Sequence, residues 1–109
     1  MYDLRLMLYD RGIHSQCLSD VMIELHTSLS RACRDVGLGD QLSTRHLLHC
    51  AELCNQQLDL GVATETALAD AALDVYVRSM HDRSVAKVTK CLFSLLFLLL
   101  NRFIHSNHI

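Results

Sequence analysis

The chain has 109 residues, half of them apolar and a fifth charged, the balance of one globular domain and too apolar for a disordered tail. Ten Lys and Arg against twelve Asp and Glu give a formal charge of -2. With both signs interspersed, this argues against a nucleic-acid partner, since phosphate affinity comes from clustered cations. Proline and tryptophan are absent, so long uninterrupted helices are permitted.

The first residues predict a short helix before Gly12 carrying Leu4, Met7 and Leu8, so that residues 1–14 form an N-terminal helix or linker. Met1-Tyr2-Asp3-Leu4-Arg5 is neither a basic n-region with an apolar stretch behind it nor a cleavage site, and no secretory signal is expected. From Gln16 to Val36 the apolar residues Leu18, Val21, Met22, Leu25, Leu29, Ala32, Cys33 and Val36 follow the three-four spacing of an amphipathic helix. Ser15 is placed to cap its start and Gly37 to end it, with residues 38–42 as a connection.

A second helix is expected after Ser43, whose hydroxyl suits the freed amides of a first turn, and runs through Thr44, Arg45 and His46 to about Leu58. At 100 degrees per residue Leu47, Ala51, Cys54 and Leu58 share one face, and Arg45, His49, Glu52 and Gln56 the other. Gly61 ends this unit, and Thr64 is expected to cap a third helix with Leu68, Ala71, Ala72, Val75 and Met80 on its core face. Residues 15–85 thus read as one helical domain. From Cys91 to Leu100 everything but Ser94 is apolar, so residues 86–109 read as an apolar helix and an irregular tail. The run is too short for a membrane span and is expected to be buried all round, in the core or at a partner interface. The fold class is all-α, a small bundle of four to five helices.

No phosphate-cradling Gly-rich loop, nucleophile elbow or zinc-protease helix occurs, so no activity is expected for this chain alone. Among His46, His49, Cys50 and Cys54, His46 and Cys50 lie one helical turn apart, as do Cys50 and Cys54, so a two-ligand metal clip is geometrically possible, while a closed four-ligand site would need others from elsewhere, such as Cys17 or His81. The alternative, buried cysteines and solvated histidines, is favoured, and no metal is expected. The five cysteines, Cys17, Cys33, Cys50, Cys54 and Cys91, are odd in number and lack a Cys-x-x-Cys pair, which reads as reduced thiols in an intracellular compartment. None has a visible basic neighbour pattern that would activate it as a nucleophile. Arg45 stands in the first turn of a helix, where its charge opposes the macrodipole. Two explanations are open: a screened surface position paired with Glu52 or Asp40, or a guanidinium aimed at an anion such as a nucleotide phosphate.

The string Leu42-Ser43-Thr44-Arg45-His46-Leu47-Leu48, preceded by the long helix containing Met22-Ile23-Glu24-Leu25-His26, resembles the helical lid of dynein-related AAA+ ATPases, of the midasin and von Willebrand factor A domain-containing protein 8 type. The likeness spans roughly residues 16 to 85. It implies that Arg45 takes the place of the sensor-2 arginine, reaching the terminal phosphate of ATP held in a neighbouring AAA+ core domain, with Ser43 as the helix cap that orients it. It further implies ATP as ligand in the context of that core, the core or a neighbouring module as partner, and a nuclear or mitochondrial location. A competing expectation is a non-enzymatic interaction module that docks through the apolar segment Leu92 to Leu100.

Overall fold

The computed structural model of the chain describes residues 3–35, 37, 42–78 and 82–107, with side chains described as far as residue 78 and from 87 to 102. Every regular element among them is helical: α1 (Leu4–Asp10), α2 (Gln16–Asp35), α3 (Thr44–Asp59), α4 (Thr64–Ala72) and α5 (Asp82–Asn107). Helix α4 continues directly into a π-helical turn over Leu73–Val77. The expected all-α bundle is therefore the observed class.

Helix α1 starts at Asp3, whose carboxylate accepts from the amides of Arg5 and Leu6. It stops in a Schellman turn. The amide of Gly12 donates to the carbonyl of Tyr9 and that of Ile13 to the carbonyl of Leu8, both at 3.0 Å, with Gly12 at φ +99. A side chain at Gly12 would also collide with the carboxamide of Asn55 on α3, so this glycine lets α1 and α3 approach closely.

Helix α2 begins as its sequence predicts, the Ser15 hydroxyl accepting from the amide of Leu18 at 3.2 Å. Its stripe of Leu18, Val21, Met22, Leu25, Leu29 and Cys33 is buried, while Ala32 is half-buried. Burying each large member of such a stripe contributes about 1.5 to 3 kcal/mol. Val36 and residues 38–41 lie outside the described residues.

Helix α3 buries Leu47, Cys50, Ala51 and Cys54 and half-buries Leu58. A second Schellman turn at Gly61 (φ +87) ends it, the amide of Val62 donating to the carbonyl of Gln57. The cap of α4 is Ala63 and not the expected Thr64, which is instead the first helical residue. The Schellman bonds fix Gly61 and Val62, and only Ala63 remains to redirect the backbone. Leu68, Ala71, Ala72 and Val75 face the core as predicted, and Met80 lies outside the described residues. The wider π turn places Tyr76 in the core beside Val75.

Helix α5 lies along α2 and touches the π turn. Val88, Leu92, Leu96 and Leu99 are buried, each 4% exposed or less. Phe93, Phe97 and Leu98 on the other side are 53%, 69% and 61% exposed. All-round burial is thus corrected within this chain: two neighbours cover only part of a helix's circumference. Beyond the apolar run the backbone stays helical to Asn107, and Arg102 reaches back to Glu24 on α2 at 2.8 Å. No described helix is long and apolar enough to cross a membrane.

Candidate functional site

Three segments far apart in sequence meet around a groove of about 970 Å3: the end of α1, the first two turns of α3, and the π turn with Arg78 behind it. Met7, Leu48 and Val75 supply its apolar lining. Charged pairs stand at two edges. Arg11 bonds Glu52, joining α1 to α3, and Arg78 bonds Asp74 at 2.8 Å one turn away.

Arg45 is the second residue of α3, is exposed, and lines this groove. It has no hydrogen bond or ion pair among the described residues. Of the two partners the sequence suggests, Glu52 is taken by Arg11, and Asp40 lies outside the described residues. Arg45 therefore presents a guanidinium at the start of a helix, where the first amides also turn their protons outward. The combination suits an anion.

Ser43 is the N-cap of α3, with extended backbone (φ -122, ψ 170), and forms a capping box with His46. The amide of Ser43 donates to His46 Nδ1 at 3.0 Å, and the Ser43 hydroxyl lies 3.2 Å from the same nitrogen. Ser43 holds the N-cap position, and the sequence reading missed His46 as its partner there. The signal was available: His46 is three residues after Ser43, where a capping box carries Glu or Gln.

Behind His46 the polar contacts continue inward. Its ring stacks on Tyr76 at 6.4 Å between centroids, and the Tyr76 hydroxyl lies 2.9 Å from Nδ1 of His26 on α2. Burial, and then the proximity of His46, hold His26 below the usual histidine range. Burial likewise raises the Tyr76 phenol, with nearby Cys50 adding to it, so the hydroxyl remains a neutral hydrogen-bonding group. This tyrosine escaped sequence reading because the π turn moves it onto the core side.

The same helix does not assemble the metal clip weighed above. Cys50 and Cys54 are buried at 1% and 0% exposure, while His49 is exposed on the opposite side and His46 is engaged in the cap. Among the described residues no group of three or more His, Cys, Asp or Glu could hold a metal ion, and His81 lies outside them. Burial, with Cys54 close by, pushes the Cys50 thiol up to about 12, and burial pushes Cys54 up to about 11, which leaves both inert as nucleophiles. All five cysteines are free.

Residues 10–83 match the family model described as the CbbQ/NirQ/NorQ C-terminal domain. The matched span covers well over half of the chain and contains α2, α3, α4 and the π turn, leaving nearly all of α5 outside it. That domain is a helical lid of CbbQ-type AAA+ ATPases. An AAA+ lid is what the Leu42 to Leu48 string implies, but the matched type is CbbQ and not the dynein-related, midasin type in particular: seven residues report the lid architecture without its branch. No solved structure matches the chain.

Proposed function

The chain belongs to the CbbQ/NirQ/NorQ C-terminal family, and from that premise we propose that it serves as a nucleotide-sensing lid, contributing Arg45 to ATP binding and hydrolysis beside an AAA+ core. One observation carries the reading: Arg45 lines the groove at the start of α3 with its charge unneutralised by any described residue, while the Arg11 and Arg78 guanidiniums are both paired. Phosphoryl transfer is catalysed mainly by positioning and by cations that offset developing charge. In this role Arg45 is the sensor-2-like residue, Ser43 and His46 fix the helix start that carries it, and the core domain supplies the phosphate-cradling loop that this sequence lacks. ATP is then the ligand shared between lid and core, and the partner is the core itself. The free thiols fit a reducing intracellular compartment.

The test is Arg45→Ala in the ATPase that carries this lid. Losing one charge-assisted contact should weaken ATP binding about tenfold or more and lower turnover, with the fold intact. Unchanged affinity and turnover would remove the role.

The exposed side of α5 favours a second reading, a docking module. Phe93 and Phe97 stand one turn apart beside Leu98, an apolar face lying outside the matched family span. Replacing Phe93 and Phe97 by Ser should leave unfolding unchanged and abolish any self-association seen by sedimentation velocity. An equally monomeric wild-type chain, at all concentrations and in the presence of the core, would sink this reading.

A further inference from the structure

Charge is divided along this chain in a way that its net value hides. All twelve acidic residues lie at or before Asp82, and the six Lys and Arg in that stretch are all arginines. From Arg83 onward the sequence holds Arg83, Lys87, Lys90 and Arg102 and no acidic side chain, and these two lysines are the only ones in the chain. An acidic body is therefore joined to one basic helix, α5.

The side of α5 turned away from the core combines this charge with apolar surface. At 100 degrees per residue Lys90 and Phe97 fall along one line and Lys87, Ser94 and Leu98 along the line beside it, with Phe93 at the edge. All six are exposed, the two phenylalanines and Leu98 by more than half. Neither lysine has a hydrogen bond or ion pair among the described residues, whereas Arg5, Arg11 and Arg78 in the body are each held by a carboxylate. From Lys87 to Leu98 the strip runs for roughly 16 Å of helix, charge first and phenyl rings after it.

What covers such a strip follows from its chemistry. A second copy docking by the same strip would bring four lysines together with no carboxylate between them. A protein partner would have to offer carboxylates and an apolar ridge in matching register. An anionic lipid surface offers both without register, charged headgroups at one depth and the acyl boundary just beneath. Lysine suits it, being a compact charge on a flexible stem that stays at the headgroups while neighbouring apolar groups sink. No described helix is long and apolar enough to cross a membrane, and Val88, Leu92, Leu96 and Leu99 commit the other side of α5 to the core, so the contact is one parallel to the surface.

We propose that the outward side of α5 is a peripheral membrane contact, in which Lys87 and Lys90 engage anionic lipid headgroups and Phe93 and Phe97 enter the acyl boundary beside them. The acidic body then lies on the side of α5 away from lipid, which orients the bound chain. Lipid contact of this kind needs neither the nucleotide role of Arg45 nor self-association of the chain.

Flotation of the full chain with vesicles in a density gradient is the test, since aggregated protein does not float. The chain should rise with phosphatidylcholine vesicles containing phosphatidylserine, stay below with phosphatidylcholine alone, and be released by added salt. Lys87→Gln together with Lys90→Gln should weaken partitioning about thirtyfold, and Phe93→Ser together with Phe97→Ser about tenfold or more, with unchanged urea midpoints because all four sites are exposed. A wild-type chain that does not float with the phosphatidylserine vesicles, that floats equally with both kinds, or whose flotation survives both double substitutions would overturn the lipid contact. Self-association without flotation, lost on Phe93→Ser with Phe97→Ser, would overturn it too and assign the face to a second copy.

Discussion

The seam between α2 and α5 and the groove between α1, α3 and the π turn are built on opposite terms. The seam is largely apolar, with Leu25, Leu29, Leu92, Leu96 and Leu99 buried and the exposed ion pair Arg102–Glu24 near its end. The groove is lined by three arginines, two histidines and two carboxylates over a small apolar floor. The seam carries stability, and loss of volume there is costly. The groove contributes little to holding the fold together, because exposed pairs such as Arg11–Glu52 add only tenths of a kcal/mol to about 1 kcal/mol each. What it offers instead is directed charge.

That contrast can be broken most forcefully from the seam. Leu92→Ala deletes a fully buried side chain and should cost about 3 kcal/mol in urea unfolding, with a lower midpoint and an unchanged slope. A loss under about 1 kcal/mol would mean that α5 is not integral to the core. Next in size is the junction of α1 with α3: Gly12→Ala combines positive φ with a collision against Asn55 and should cost about 2 kcal/mol, measured in the same way. Since this change would also shift the end of α1 that carries Arg11, it tests whether the groove's geometry depends on that close approach.

The smallest effect sharpens the comparison from the polar side. His26 is held below its ordinary value, so as pH falls the unfolded chain takes a proton there before the folded chain does. Its contribution to stability is whole above the unfolded value of about 6.5 and is lost as pH falls through the folded value. The unfolding midpoint should drop between about pH 7.5 and 5.5, and His26→Gln should flatten part of that drop. A midpoint that rises on acidification would contradict the placement of His26 against Tyr76 and His46.

The seam and the groove were unequally legible before any coordinates. Leu18, Val21, Met22, Leu25, Leu29 and Cys33 announce the buried side of α2 because polar residues interrupt them with a period of 3.6. The same test says nothing within Cys91 to Leu100, where nearly every residue is apolar, and so all-round burial was expected although Phe93, Phe97 and Leu98 face outward. Gly61 and the cap residue Ser43 were readable from local chemistry. The groove was not, because Arg11 meets Glu52 across 41 positions of sequence and Tyr76 meets His26 across 50. Arg45 could be singled out since a cation in a first helical turn conflicts with the macrodipole. That its expected partner Glu52 is occupied elsewhere is a tertiary fact that no local pattern encodes.

The two occupied arginines of the groove have a further consequence for any anion that approaches it. Arg11 and Arg78 each carry their own counter-ion, and a newcomer must displace a carboxylate to use them. Only Arg45 offers its full charge at once. Binding governed by such an arrangement would show the ionic-strength response of about one charge and not of three, attenuated over a screening length of about 8 Å at physiological salt. Such a layout of charge would favour a defined landing point for an anion over attraction from a distance.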